Sequence, residues 1–251
     1  MIGLVESTAI FLPPQVDRAL VAAAVTVIFA GVARLLRGVT ASGACAGAVV
    51  CFLLYANVGL GAFAGLATVF TLAWITTRFG YRRKQYFGVA EPRGGRKASQ
   101  VLANLAMAAI CASLYGYDHR PGWLLACTAA LAEASADTVS SEIGQAVGEQ
   151  ARLITTWEPV LPGTNGGVTL LGTFVGVGSA AIVTLVCAAT GMIPWKWFAI
   201  SLAGATAGML GDSVLGASLE RPGILNNNGV NFLGTSIASA LALAFIHGLN
   251  G

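Results

Sequence analysis

The sequence is poor in charge. Asp, Glu, Lys and Arg make up 10% of its 251 residues, whereas 56% are hydrophobic. This composition excludes an ordinary water-soluble globule and predicts an all-α, polytopic integral membrane bundle without a soluble domain. The two histidines are isolated, and the five cysteines lie in apolar runs without a CxxC pair, so we expect neither a zinc site nor disulfides. No Walker A, protein-kinase or GxSxG string occurs, which argues against a soluble NTPase or a serine hydrolase.

Apolar runs and glycine are abundant instead. The 32 glycines are typical of membrane helices that approach one another closely. Hydropathy predicts about eight spans, within a range of roughly seven to nine. The predicted spans cover 19–36, 43–55, 59–77, 101–115, 123–135, 168–190, 197–215 and 231–249, with the second and fifth unusually short. We treat residues 1–251 as a single transmembrane domain.

The basic residues indicate the orientation of the bundle. Segment 78–100 carries Arg78, Arg82, Arg83, Lys84, Arg93, Arg96 and Lys97. The positive-inside rule places this loop in the cytoplasm and both termini outside. Alternation then brings segments 78–100, 137–167 and 211–230 to the cytoplasmic face. We therefore expect a plasma (inner) membrane protein of a prokaryote with one polar site facing the cytoplasm.

An internal repeat links two of these segments. Residues 165–173 (NGGVTLLGT) and 227–235 (NNGVNFLGT) share Asn, Gly, Val, Leu, Gly and Thr at equivalent positions. Upstream of each copy, an apolar span ends in Asp137-Thr-Val or Asp212-Ser-Val. We interpret 123–190 and 197–249 as two copies of one unit in the same orientation, which would bring Asp137 and Asp212 towards each other.

Three carboxylates lie at the end of the fifth span. Glu133, Asp137 and Ser141 are spaced by four and share one helix face. Glu142 lies about 140° around the helix from Asp137, so a metal common to both would require the helix to break near Ser141. With Asp212, these oxygen ligands suit Mg²⁺, with Mn²⁺ as the alternative. Hydrated structural carboxylates, or a cation or proton path, would also explain them.

Two kinds of segment are suited to phosphate. Residues 93–97 combine Arg and Lys with two glycines, although a topology signal alone would also place basic residues there. Segments 162–169 and 226–229 are rich in Gly and Asn and open helices whose N-termini favour anions, although Asn is also a common turn residue. The candidate substrate- and nucleotide-binding residues are Arg93, Asn104, Ser141, Asn165, Gly166, Gly167, Ser213, Arg221, Asn227, Asn228 and Gly229.

Four strings together resemble a known family. They are 94–104 (GGRKASQVLAN), 136–144 (ADTVSSEIG), 163–169 (GTNGGVT) and 211–217 (GDSVLGA). In this order they are similar to the domain of unknown function 92 family, which includes plant phytyl-phosphate kinase and the animal transmembrane protein 19. A more distant likeness is to dolichol kinases and CDP-diacylglycerol synthases. Glu220 stands where the synthases have Lys, and this departure argues against a cytidylyltransferase.

The resemblance implies a prenyl-phosphate kinase. Such an enzyme would transfer a phosphoryl group from CTP or another nucleoside triphosphate to phytyl or geranylgeranyl monophosphate, giving the diphosphate. We assign Mg²⁺ to Asp137 and Asp212, with Glu133 or Glu142 assisting. Arg96 and Lys97 are assigned to catalytic phosphate contacts.

Other readings of the sequence remain open. These are a CTP-dependent prenol kinase, a CDP-lipid-type nucleotidyltransferase, and a cation-coupled transporter. The transporter fits poorly with polar loops that gather on one face of the membrane. The expected partners are the lipid bilayer, a prenyl-phosphate lipid and a nucleotide, without nucleic acid, and a homodimer is one candidate assembly.

Overall fold

The computed structural model describes residues 14–148 and 150–250, with the side chains of 18–148 and 150–246. This part of the chain is nearly all helical. Its nine α-helices are α1 (Pro14–Leu35), α2 (Ala41–Asn57), α3 (Leu60–Arg78), α4 (Tyr81–Tyr86), α5 (Ala98–Asp118), α6 (Gly122–Val147), α7 (Leu170–Ala189), α8 (Phe198–Leu215) and α9 (Asn227–Asn250). A 3-10 turn (Trp195–Trp197) precedes α8, and a π-helical turn (Gly216–Glu220) follows it.

Each predicted span corresponds to one long helix. Six helical segments are long and apolar enough to cross a membrane, namely Arg18–Leu35, Leu60–Arg78, Ala98–Asp118, Leu170–Ala189, Trp195–Glu220 and Asn227–Ile246. The all-α membrane fold is thus confirmed, while the number of eight spans stays a prediction. The two short windows, 43–55 and 123–135, are parts of longer helices of 17 and 26 residues.

Helix α6 lies at the centre of the bundle. It packs against α3, α5, α7, α8 and α9. Every side chain from Leu125 to Ala136 is buried, and alanines dominate this segment. Small side chains allow neighbouring helices to approach closely in a membrane. The carboxylates of α6 are therefore carried into the middle of the protein.

The contact between α6 and α7 is especially close because two glycines of α7 face α6. A Cβ atom on Gly172 would lie 2.6 Å from the carbonyl oxygen of Ser140. One on Gly176 would lie 2.8 Å from the carbonyl oxygen of Ala136. The backbone of α7 thus packs directly on the segment of α6 that contains Asp137.

A small sheet, absent from the sequence prediction, covers one end of the bundle. Its strands are β1 (Ala151–Leu153), β2 (Pro159–Val160) and β3 (Gly167–Val168), in the antiparallel order β2-β1-β3. Strand β3 lies in the first copy of the predicted repeat, whereas the equivalent residues of the second copy begin α9. The copies therefore differ in local structure, and the repeat stays a prediction.

The segment before α5 is fixed to the turn before α2. The Arg96 amide donates to Gly38 O at 3.0 Å, and the Thr40 amide donates to Arg96 O at 2.9 Å. Gly95 has φ 85° and lies so close to Gly38 that a Cβ atom would approach its carbonyl carbon to 2.4 Å. Only glycine fits this left-handed, crowded position, which in turn fixes the direction of Arg96.

Candidate active site

A polar cavity of about 250 Å³ lies where three helices begin and two helices end. The first turns of α5 and α9 and the N-cap of α7 contribute Gln100, Asn227 and Thr169. The C-terminal parts of α6 and α8 contribute Asp137 and Asp212. Free amide groups at helix N-termini favour anions, whereas carboxylates favour cations. The cavity thus offers groups for both at one place.

Several predicted residues line this cavity together. The predicted residues among its walls are Arg96, Asn104, Asp137, Ser141, Glu142, Asn165, Gly166, Gly167, Asp212, Ser213 and Asn227. They come from the segment before α5, from helices α5, α6, α8 and α9, and from the segment that includes β3. The predicted gathering of polar segments at one end of the bundle is therefore present in the fold.

The carboxyl groups of Asp137 and Asp212 lie within hydrogen-bonding reach of each other. Asp212 is 9% exposed, and its Oδ2 has no hydrogen-bond partner among the described residues. Two adjacent carboxylates repel unless a proton or a cation lies between them. The pair therefore provides oxygen ligands that a hard divalent cation could use.

Glu133 lies one helical turn below Asp137 and outside the walls of the polar cavity. It is 1% exposed, and its Oε1 has no hydrogen-bond partner among the described residues. Two glycines leave room for it: a Cβ atom on Gly208 would lie 2.7 Å from Glu133 Cγ, and one on Gly234 2.6 Å from Oε1. A Cβ atom on Gly234 would also lie 3.2 Å from Asp212 Oδ2. Glu133 Oε1 and Asp212 Oδ2 therefore both face the space beside Gly234.

Glu142 has an ion-pair partner and a hydrogen-bond donor within the protein. Lys84 Nζ lies 2.5 Å from its Oε2, and the Thr77 hydroxyl donates to its Oε1 at 2.8 Å. Helix α6 does not break near Ser141, so Glu142 points towards α3 and α4 and away from Asp137. Among the described residues, no group of three or more His, Cys, Asp or Glu is arranged to hold a metal. Of the four predicted metal ligands, Asp137, Asp212 and Glu142 line the cavity, and their role in metal binding stays a prediction.

Arg96 and Lys97 are adjacent in the sequence but have different surroundings. Arg96 is partly buried, donates to the Thr138 hydroxyl at 3.2 Å, and attracts the Asp137 carboxylate electrostatically. Lys97 is exposed, and it caps α5 through its backbone, whose amide donates to Gln100 Oε1. The walls of the polar cavity include Arg96 but not Lys97. The geometry therefore does not support the predicted catalytic contact of Lys97.

The remaining predicted residues lie outside the polar cavity. Arg93 is exposed, stacks over the Tyr81 ring and lines a neighbouring cavity. Arg221 is exposed on the turn after α8. Asn228 and Gly229 are in α9, where the Gly229 amide donates to the side chain of Asn226. The structure does not bring these four predicted residues to the carboxylate pair.

Glycines shape the wall opposite α6. Gly166 has φ 77°, and a Cβ atom on it would lie 2.4 Å from Ala217 Cβ. Gly163 has φ 82°, and a Cβ atom there would lie 2.2 Å from Val89 Cγ1. Both positions combine positive φ with close approach, so a larger residue would push the segment away from the π-helical turn at Gly166 and away from Val89 at Gly163.

Several lining residues were not among the predicted site residues, and Glu91, Gln100, Thr138, Ser140 and Asn231 are examples. Gln100 precedes Asn104 by four positions, and Asn231 follows Asn227 by four. Helical spacing from the predicted residues could therefore have found both. Glu91 lies in an irregular segment without any such signal, and it accepts a hydrogen bond from Gln100 at 3.0 Å.

The cavity has an acidic balance of charge. Among its described lining residues, Arg96 is the one cation, whereas Glu91, Asp137, Asp212 and Glu220 are carboxyl groups without a salt bridge and Glu142 is ion-paired with Lys84. A polyphosphate alone would be repelled by this set.

Comparison with known proteins gives a family and several relatives. The family model described as integral membrane protein DUF92 matches residues 24–239. An uncharacterized membrane protein of Methanocaldococcus jannaschii is 35% identical over 184 residues, which cover 71% of this chain and 73% of that protein. An uncharacterized membrane protein of Synechocystis is 31% identical over 195 residues, covering 74% and 76%. Protein VTE6 of Arabidopsis thaliana, described as chloroplastic, is 31% identical over 218 residues, covering 83% and 66%. No solved structure matches.

Proposed function

The chain belongs to the integral membrane protein family DUF92, and from this premise we propose that it is a membrane-embedded prenyl-phosphate kinase. It transfers the γ-phosphoryl group of CTP or another nucleoside triphosphate to phytyl or geranylgeranyl monophosphate. The motif resemblance to the phytyl-phosphate kinase family and the similarity to protein VTE6 support this reaction class. The observation that carries the proposal is the Asp137–Asp212 pair in an acidic cavity surrounded by helix N-termini.

The reaction balances without a redox partner. An oxygen of the acceptor monophosphate attacks the γ-phosphorus and forms a new P–O bond. The bond from the γ-phosphorus to the β–γ bridging oxygen breaks, and its electron pair leaves with the nucleoside diphosphate. The acceptor is already an anion, so the site needs positioning and charge compensation more than a strong general base.

The carboxylate pair fits Mg²⁺, with Mn²⁺ as the alternative. Mg²⁺ in nucleotide enzymes is usually held by one or two carboxylates together with phosphate oxygens and water. Asp137 and Asp212 provide such a pair, and the buried Oδ2 of Asp212 has no hydrogen-bond partner among the described residues. When bound, the ion would compensate the charge of the transferring phosphoryl group. It would also offset the acidic lining of the cavity.

The chain's own groups would position the two phosphates. Arg96 presents guanidinium donors beside Asp137, and such donors can bind a phosphate in a bidentate manner. The first turns of α5, α7 and α9 provide positive dipole ends around the cavity. We assign the acceptor phosphate to Arg96 and the nucleotide phosphates to segment 163–167 and Asn227.

We place the site on the cytoplasmic side of a prokaryotic plasma membrane. The polar cavity lies at the end of the bundle that carries the basic segment 78–100. Positive residues are enriched on the cytoplasmic side, where nucleoside triphosphates are available. A lipid acceptor explains why the carboxylate pair is carried by helices of a membrane bundle.

The test uses the purified full chain in lipid nanodiscs with Mg²⁺. Nucleotides labelled at the γ- or the α-phosphate are offered with phytyl monophosphate, geranylgeranyl monophosphate or the free prenols. We expect γ-label in a prenyl diphosphate, loss of that product in Asp137→Asn and Asp212→Asn, and retention in Asp118→Asn at the opposite end. Transfer of α-label would indicate a nucleotidyltransferase, and a labelled product from prenols alone would indicate a prenol kinase. The proposal is overturned if no lipid is labelled, or if both cavity variants behave like the wild type.

A further inference from the structure

A second cavity of about 330 Å³ lies beside the polar one. Its walls come from α1, α2, α3, α5 and α6, and most of them are apolar. Phe29 and Phe70 form an edge-to-face pair across it, and Leu66 and Leu105 continue the apolar wall. The volume is in the range of ligand sites, roughly 300–1,000 Å³. We call this space the apolar cavity.

The two cavities meet at a polar boundary. Glu91, Arg96, Gln100, Asn104 and Thr138 line both of them. A molecule at this boundary would contact the cation of the polar cavity on one side and the aromatic and aliphatic walls on the other. That arrangement matches an amphiphile with an anionic head and a hydrocarbon chain.

Of the other three arginines that line the apolar cavity, Arg37 is exposed in the turn after α1, and Arg78 and Arg93 have partners within the protein. Arg78 donates to Leu36 O at 2.6 Å and stacks on the ring of Trp74. Arg93 lies over the ring of Tyr81. Arg96 is the arginine that lies at the boundary and interacts with the Asp137 carboxylate. The head of the amphiphile is therefore directed towards the carboxylate pair.

We infer that the apolar cavity binds the isoprenoid chain of the acceptor, with the monophosphate at Arg96 and the chain along Gly47 towards Leu66. This inference rests on the proposed function, because the occupant must be the molecule that delivers a phosphate to Asp137 and Asp212. Phe29 and Phe70 bound the chain on the side of α1 and α3. The depth of the cavity beside Gly47 then sets the chain length that the protein accepts.

Gly47 offers a direct way to shorten the cavity. A Cβ atom on Gly47 would meet no atom within 4 Å, so a larger side chain enters open space. Other glycines of the same wall lack this room: a Cβ atom on Gly43 would lie 2.2 Å from Arg96 O, and one on Gly38 2.6 Å from the Phe70 ring. Gly178 is the matched control, because its Cβ would also meet nothing within 4 Å, but it is exposed on α7 and outside the apolar cavity.

The experiment measures binding without nucleotide to wild type, Gly47→Leu and Gly178→Leu in nanodiscs. The probes are tritiated geranylgeranyl monophosphate and geranyl monophosphate. We expect Gly47→Leu to lower the affinity for geranylgeranyl monophosphate at least tenfold and that for geranyl monophosphate less than threefold. Gly178→Leu should change neither affinity. Wild-type affinity of Gly47→Leu for geranylgeranyl monophosphate overturns the inference. Equal competition by dioleoyl phosphatidic acid also overturns it, because a bilayer phospholipid would then be the occupant.

A second measurement covers the case in which Gly47→Leu does not fold. Geranylgeranyl monophosphate with a diazirine at the end of its chain is cross-linked to the wild type, and the labelled peptides are mapped. We expect label in α1, α2 or α3, and label confined to α7 or α8 would overturn the inference. Chain-length-dependent binding without phosphoryl transfer would refute the proposed function alone. Phosphoryl transfer with binding insensitive to Gly47→Leu would refute this inference alone.

Discussion

Lys84 and Glu142 form a buried ion pair that joins α4 to the C-terminal part of α6. Lys84 is 0% exposed, and its Nζ donates to Glu142 Oε2, to Thr76 O at 3.0 Å and to Thr77 O at 2.8 Å. All three ammonium hydrogens thus have acceptors. The pair fastens the short helix α4 and the end of α3 to the C-terminal part of α6.

Removing one partner of this pair should destabilise the fold. A buried charge without its partner typically costs about 3–5 kcal/mol, so Lys84→Met should lower the melting temperature clearly. The double variant Lys84→Met/Glu142→Leu should recover most of the loss, because it leaves no buried charge behind. Arg82→Met is the control, since Arg82 is exposed on the same helix. Thermal unfolding in detergent measures all four proteins, and equal effects of Lys84→Met and Arg82→Met would contradict the prediction.

Neutralising one aspartate of the polar cavity should stabilise the metal-free protein and weaken its stabilisation by Mg²⁺. Without a metal, Asp137 and Asp212 cannot both ionise without repulsion, so Asp212→Asn should raise the melting temperature of the metal-free protein. In the wild type, Mg²⁺ at a hundred times its dissociation constant should raise the free energy of unfolding by about 2.7 kcal/mol. Asp212→Asn should lose most of this Mg²⁺-dependent rise, whereas Asp118→Asn should keep it.

The measurement is thermal unfolding over a series of Mg²⁺ concentrations after treatment with a chelator. An unchanged Mg²⁺-dependent rise in Asp212→Asn would show that the carboxylate pair does not bind the ion. A fall in the metal-free melting temperature would show that Asp212 makes a favourable contact that exceeds its repulsion from Asp137.

Arg96 and Lys97 should differ strongly in their effect on phosphoryl transfer. Arg96→Gln removes the cation beside Asp137, and loss of one such electrostatic contact typically costs on the order of 100-fold in kcat. Lys97→Gln should stay within about threefold of the wild type, because this side chain is exposed and outside the polar cavity. Initial rates at saturating nucleotide test both variants. Similar losses for the two would mean that Lys97 reaches the substrate despite its position.

Much of the helical architecture follows from local sequence. An apolar run of sufficient length predicts a membrane helix whatever its partners, so every predicted window coincides with one of the long helices. The strands of segment 151–168 have two or three residues each, too short for a periodic signal. They form because β1 pairs with segments on both of its sides, which no local pattern records.

Site residues that belong to a repeated sequence pattern could be predicted. Those whose position depends on tertiary contacts could not. Asp137 and Asp212 each end an apolar run before a small hydroxyl residue and Val, so the sequence itself pairs them. Lys84 contacts Glu142, which is 58 positions away in the sequence. The positive-inside rule already explained a basic residue at position 84, so the sequence did not point to this ion pair. Arg96 and Lys97 are neighbours in sequence, but the crowded turn at Gly95 directs only Arg96 inward.

Two glycine substitutions should have opposite effects on stability. The Cβ atom of Gly234→Ala would lie 2.6 Å from Glu133 Oε1 and 3.2 Å from Asp212 Oδ2, so the buried carboxyl groups must shift. Overpacking of this kind costs about 1–3 kcal/mol. Gly31→Ala is the control, because its Cβ meets nothing within 4 Å on an exposed part of α1. In that helix the change should stabilise by about 0.5–1 kcal/mol.

The clash at Gly234 can be assigned to its cause by a double-mutant cycle. Glu133→Ala removes the nearer oxygen, so Gly234→Ala should cost much less in that background than in the wild type. Unfolding in detergent of the wild type, both single variants and the double variant gives the coupling energy. A cost of Gly234→Ala that is equal with and without the Glu133 side chain would mean that the packing of α9 on α8 is responsible. A large coupling would instead establish that a small residue at Gly234 accommodates the buried carboxyl group of Glu133 in the centre of the bundle.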